Sequence, residues 1–178
     1  MKQMKVINAV MVFAMMVFAS AYAQVTPKLT DPEIASVAVV ANQIDVNYAA
    51  IAKAKSKNAD VLKFAQTMSD DHTAVIKQAV ALVTKLGVTP KDNALSQKLM
   101  SGAEKTKKQL SAKSGKAFDK AYIDNEVSYH KTVISTVEKV LIPQSQNAEL
   151  KKLLQDVVPT LKAHLDHAEM VQKEFAGK

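Results

Sequence analysis

The chain has 178 residues, 48% of them hydrophobic, and a formal charge of +7 that comes entirely from lysine, since no arginine occurs. With no cysteine, disulfide frameworks, thiolate zinc sites and thiol nucleophiles are excluded. Four glycines and five prolines are too few for a phosphate-cradling loop or a turn-rich sandwich, and 5% aromatics without arginine argue against a nucleic-acid reader.

The amino terminus reads as an export signal. Lys2 and Lys5 precede an apolar run from Val6 to Phe18, and Ala21 and Ala23 supply the small residues of a cleavage site after Ala23. The run is shorter than the roughly 20 residues of a membrane span. The expected organisation is therefore a signal peptide at 1–23 and a single domain at 24–178, without a transmembrane segment in the mature chain.

The remaining 155 residues carry +5 and read as helices throughout. The first is predicted at about 31–57, with Pro32 in its first turn and Ile34, Val37, Ala41, Ile44, Tyr48 and Ile51 at steps of three and four. Asn58 opens the second, at about 58–86, along Leu62, Ala65, Ser69, His72, Ile76, Ala79, Val83 and Leu86; Gly87 stops it. A shorter, polar helix is predicted at about 92–112. A third long helix, at about 116–142 and ended by Pro143, carries Ile123, Val127, His130, Ile134, Val137 and Leu141. The last, at about 147–175, runs along Leu150, Leu154, Val157, Leu161, His164, Ala168, Val171 and Phe175, with Pro159 expected to kink it or loosen one turn. Two tight helix pairs separated by a long connection predict an all-α fold: a ferritin-like four-helix bundle with one long crossover carrying an extra short helix. Lysines interleave with acids on the outer faces, and the dense group Lys105, Lys107 and Lys108 reads as solvated surface.

Few residues can carry chemistry. His72, His130 and His164 fall on the apolar seams, and His167 sits beside one. Asp45 lies on the edge of the first helix's apolar face, and Glu126 is one turn before His130. Imidazoles and carboxylates facing inward from a bundle are the means by which such folds bind metals, so His72, His164, Asp45, Glu126 and His130 are the candidate ligands, with His167 as an alternative and zinc, copper or iron as the candidate ions. The plainer alternative is a buried polar network. Counting about 1.5 Å per residue from the turns places Asp45 beside His72. The same count puts Glu126, rather than His130, level with His164, with His130 about two turns away unless Pro159 shifts the register.

The segments ANQIDVNYAAIAKAKSKN, VLKFAQTMSDDHTAV, SGKAFDKAYIDNEVSYH and LKAHLDHAEMVQ resemble, in that order, an exported bacterial family of predicted outer-membrane proteins with a ferritin-like domain of unknown function. The resemblance implies a periplasmic or envelope location, with association to the outer membrane, and no established activity. A ferritin-like di-iron site would need a carboxylate from each of two helices and Glu-x-x-His from each of the other two. Asp45 and Glu126 match the single carboxylates and His72 and His164 the histidines, but Ser69 and Leu161 stand where the paired glutamates belong. Ferroxidase chemistry is therefore not expected, and no catalytic residue is assigned. Two functions remain: a non-catalytic envelope or stress-related protein binding a polymer or protein partner, or a transition-metal-binding protein for sequestration or sensing.

Overall fold

The computed structural model describes residues 28–176, and every regular element among them is helical. The expected signal peptide lies outside the described residues. In chain order the elements are α1 (Asp31–Lys55), α2 (Ala59–Lys85), α3 (Ala94–Ser111), α4 (Gly115–Thr136), α5 (Ile142–Gln144) and α6 (Ala148–Ala176). A π-helical turn at Val137–Leu141 joins α4 to α5.

The starts are written in side chains that satisfy orphan amides. Glu33 Oε2 accepts from the Thr30 backbone N–H at 2.9 Å, one half of a capping box. Asn58 Oδ1 accepts from the amides of Asp60 and Val61 at 2.9 and 3.2 Å. Asn93 does the same for α3, and Asn147 for α6. Gly87 follows α2 at φ +63°, the left-handed backbone that suits glycine. Replacing the cap Asn58 by Ala is expected to cost about 1 kcal/mol in urea unfolding, and a change indistinguishable from zero would remove the cap from this account.

α1 and α2 form one hairpin and α4 and α6 the other, while α3 lies along α1 and carries the chain across to α4. α1 has an 18-residue window with a mean hydropathy of 1.3, enough by composition to cross a membrane. Its Ile34, Val37, Ile44 and Tyr48 are instead buried in the bundle, so it serves as a core helix.

Three differences from the expected pattern bear on the site. On α2 the buried side chains are Val61, Phe64, Ala65, Met68, His72, Ala79 and Val83, while Leu62, Ser69 and Ile76 are half-buried. α2 packs on both α1 and α6, so its covered stripe is wider than a single seam. The third long helix does not end before Pro143: helical backbone continues through the π turn to Gln144. The Ile142 N–H bonds to the Val137 carbonyl across that wider turn, so the proline disturbs only the final turn. α6 runs unbroken through Pro159.

The core is divided along the bundle axis. One apolar cluster, around Tyr48, Phe64, Phe118 and Tyr122, fills the end near the α1–α2 turn. Another, around Ile34, Val37, Leu141, Leu150 and Leu154, fills the opposite end. Between them, in sequence on every long helix, come Asp45, His72, Glu126, His130 and His164, all buried.

Candidate metal centre

The polar belt draws one side chain or more from each long helix. The rings of His72, His130 and His164 have centroids 5.1 to 5.7 Å apart, and one ligand-capable nitrogen from each lies within 4.8 Å of the others. The expected two-turn offset of His130 is thus absent. Once helical backbone reaches Gln144 and α6 begins at Ala148, only roughly 3 Å of offset remains along the axis, well within side-chain reach. Asp45, Glu126 and His130 form a second, overlapping group within the same 4.8 Å limit. His167 stands apart, its ring edge-on to Phe64 at 5.1 Å.

The hydrogen bonds fix which nitrogen of each ring is free. The Asn42 amide is oriented because its Nδ2 donates to the Ala38 carbonyl at 2.8 Å. Its Oδ1 can then only accept, so His72 Nδ1–H donates to it at 2.7 Å and Nε2 keeps a lone pair. His130 Nδ1–H donates to the Glu126 carbonyl at 3.0 Å, again leaving Nε2. His164 turns the other way: Nε2 meets Asp71 Oδ2 at 2.9 Å, which leaves Nδ1. Those three nitrogens, together with Asp45 Oδ1 and both carboxyl oxygens of Glu126, are buried without a hydrogen-bond partner. Six orphaned polar atoms in one layer would be a heavy penalty in a purely structural core.

Asp45 Oδ2 lies 3.2 Å from His72 Nε2 and 3.7 Å from His130 Nε2. A carboxylate oxygen facing an imidazole lone pair at that distance is repulsive unless a proton or a cation stands between them. Protonating His72 is disfavoured: burial, only partly opposed by Asp45, pushes its pKa down to about 4. Burial also lowers His164, against the hydrogen bond to Asp71. Glu126 is held well above the usual carboxyl range, first by burial and then by Asp45. The belt therefore offers the uncharged imidazoles of His72 and His164 and the free nitrogen of His130 beside two carboxyl groups, with Glu126 keeping its proton until a cation displaces it, the donor set of a borderline transition ion.

Asn42 and Asp71 were not among the expected site residues. Asp71 is adjacent to His72 but about 100° around α2, which aims it at α6, and Asn42 lies on α1 one turn before Asp45. They play the part that partners of ligating histidines usually play, setting tautomer and ring direction.

Fold and site together define a class: an all-α bundle with a buried histidine–carboxylate layer between two apolar halves. Residues 17–171 match the family described as "Domain of unknown function (DUF4142)", and the chain belongs to that family. No curated protein matches the chain. Among solved structures, one described as "CopM in the Cu(II)-bound form" is similar with a TM-score of 0.64 at 15% identity, over 84% of this chain and 99% of that one. At that identity the likeness speaks for the fold.

Proposed function

We propose that this protein binds one transition-metal ion at His72 Nε2, His130 Nε2, His164 Nδ1 and Asp45, and that it sequesters or senses the ion without catalysis. The observation that carries this reading is the tautomer pattern: three rings each spend one nitrogen on a fixed partner and turn the other inward with nothing to bond. A buried polar network, the alternative weighed from the sequence, would pair those atoms with one another. Three imidazoles and a carboxylate suit copper or zinc better than a hard cation, and the affinity order favours Cu(II). The solved structure of similar fold is described as Cu(II)-bound, which makes copper the first ion to test here. We place the protein in the periplasm, on the export signal read at residues 1–23, and keep the ferritin-like relationship as part of this proposal.

The test is metal analysis of tag-free protein dialysed against Cu(II), Zn(II) and Fe(II) in turn. One ion per chain for copper or zinc is expected. Protein that retains no ion, with an unchanged melting temperature in all three, overturns the proposal. Replacing Asn42 by Leu removes the acceptor that holds His72 Nδ1–H, and an affinity about 10- to 100-fold weaker is expected with helicity unchanged. Equal affinity in a competitive chelator titration would show that Asn42 does not position the ring.

A further inference from the structure

A cleft leads from the polar belt toward the end of the bundle where Leu141 and Leu150 lie. It is walled by Ala35 and Ala38 of α1, Val75 and Ala79 of α2, and Leu154 and Val157 of α6. Alanines at four positions that could carry larger apolar side chains (Ala35, Ala38, Ala41 and Ala79) leave this space open. About 60 Å³ of the cleft is free space, well under the roughly 300–1,000 Å³ of drug-sized sites, so only a slender ligand fits between its walls. Its lining residues on α6 run from Leu150 to His164, roughly 21 Å of helix, which suits an extended chain better than a ring system.

The inner end is different. Asp45, His72 and His164 line it, whereas His130 and Glu126 lie behind them and do not. His72 and His164 are 3% and 4% exposed, and their free nitrogens are among the orphaned atoms. A long apolar wall ending in a few converging polar atoms is the usual form of a site for an apolar molecule with one polar head. The floor by itself presents lone pairs and a carboxylate, which repel an anion. An ion held by Asp45, His72 and His164, which line this end, would turn the same face into a Lewis acid able to take an oxygen donor from the cleft.

We propose that the cleft binds an aliphatic monocarboxylate, its tail along the apolar walls and its carboxylate on the cleft-facing side of the ion; this rests on the metal centre proposed above. No bond is made or broken beyond coordination. Because each methylene buried on the walls contributes, affinity should rise about 3- to 4-fold per added carbon until the cleft is filled.

The experiment titrates hexanoate, octanoate and decanoate into the Cu(II)-loaded full chain, followed by calorimetry and by the visible absorption of the copper. Saturable one-to-one binding is expected, with a shifted absorption band and affinity that climbs along the series. Copper-free protein, and decanoate methyl ester with copper-loaded protein, should each bind at least about 10-fold more weakly. Val157→Trp and the milder Ala38→Leu narrow the cleft and should weaken decanoate by about 10-fold or more while keeping one copper per chain, which also reports that they fold. If copper binds one-to-one but decanoate neither binds nor moves the band, the cleft proposal is overturned and the metal centre stands. Failure to retain copper at all sinks the metal centre first. Decanoate bound equally well without copper removes the ion from the recognition, and binding unaffected by both narrowing substitutions places it elsewhere.

Discussion

Copper at a free concentration about 1,000 times its dissociation constant is expected to raise the melting temperature of this protein by about 8–16 °C. A ligand that binds only the folded state at that excess contributes about 4.1 kcal/mol, and for a chain of this size each kcal/mol moves the midpoint by about 2–4 °C. The donors explain why so much of the ion's affinity reaches the fold. Asp45 and His72 belong to the α1–α2 hairpin, His130 and His164 to the α4–α6 hairpin, so the ion cross-links the two halves. No unfolded segment can present the four together. His72→Ala and His164→Ala are each expected to weaken binding by at least about 100-fold, or roughly 2.7 kcal/mol, and the double variant to abolish the thermal shift. His167→Ala is the control, since that ring packs on Phe64 away from the cluster, and it should keep the full shift. A double variant that melts as high with copper as the parent would refute the assigned donors.

Much of this was legible in the residues, for stated reasons. Ile34, Val37, Ala41, Ile44 and Tyr48 are buried at the spacing from which α1 was read, because a three–four repeat maps onto one helical stripe. Asn58 and Gly87 mark their boundaries through local chemistry, an Oδ1 for orphan amides and a positive φ, that needs no tertiary context. What escaped depends on packing between distant segments. Phe64 and Met68 are buried because α2 has two neighbours, which a periodicity counted along one line does not reveal. The π turn at Val137–Leu141 has no residue signature, and with Pro143 read as a terminator the register of His130 was misplaced. Asn42 on α1 reads as ordinary polar surface until His72, thirty residues on, is packed against it.

The two apolar halves also explain how a polar layer survives. An apolar cluster packs on either side of the middle layer, and hydrogen bonds to Asn42, Asp71 and the Glu126 carbonyl fix its rings within that frame. Rings held that way are preorganised before any ion arrives, which spares the cost of ordering them on binding. The open alanine-lined side is where that protection is relaxed, and it is also where Asp71, half-exposed on the rim, touches His164.

Metal-free protein is expected to be most stable at mildly acidic pH, with two opposing limbs. On the acid side, His72 has a folded pKa of about 4 against an ordinary value of 6.5. Below pH 6.5 the unfolded chain therefore takes up a proton that the folded chain refuses, and stability falls as pH drops from 6.5 toward 4, by about 3 kcal/mol in all. His164 is lowered as well and adds in the same direction. Glu126 acts with the opposite sign. Its folded pKa is raised, so above pH 4.5 the unfolded chain loses a proton that the folded chain keeps, and stability declines as pH rises toward the folded value. The groups facing these residues are Asp45, His130 and Asp71, so a single substitution must separate the limbs. Glu126→Gln does so: it is nearly isosteric, cannot ionise and leaves the histidines in place. In urea titrations of chelator-treated protein from pH 4 to 8, the variant should lose the alkaline decline and gain on the parent steadily above pH 4.5, while its acid limb remains. Parallel curves for the two proteins would mean that Glu126 ionises freely in the folded state, and the charge pattern assigned to the metal-free centre would fall with it.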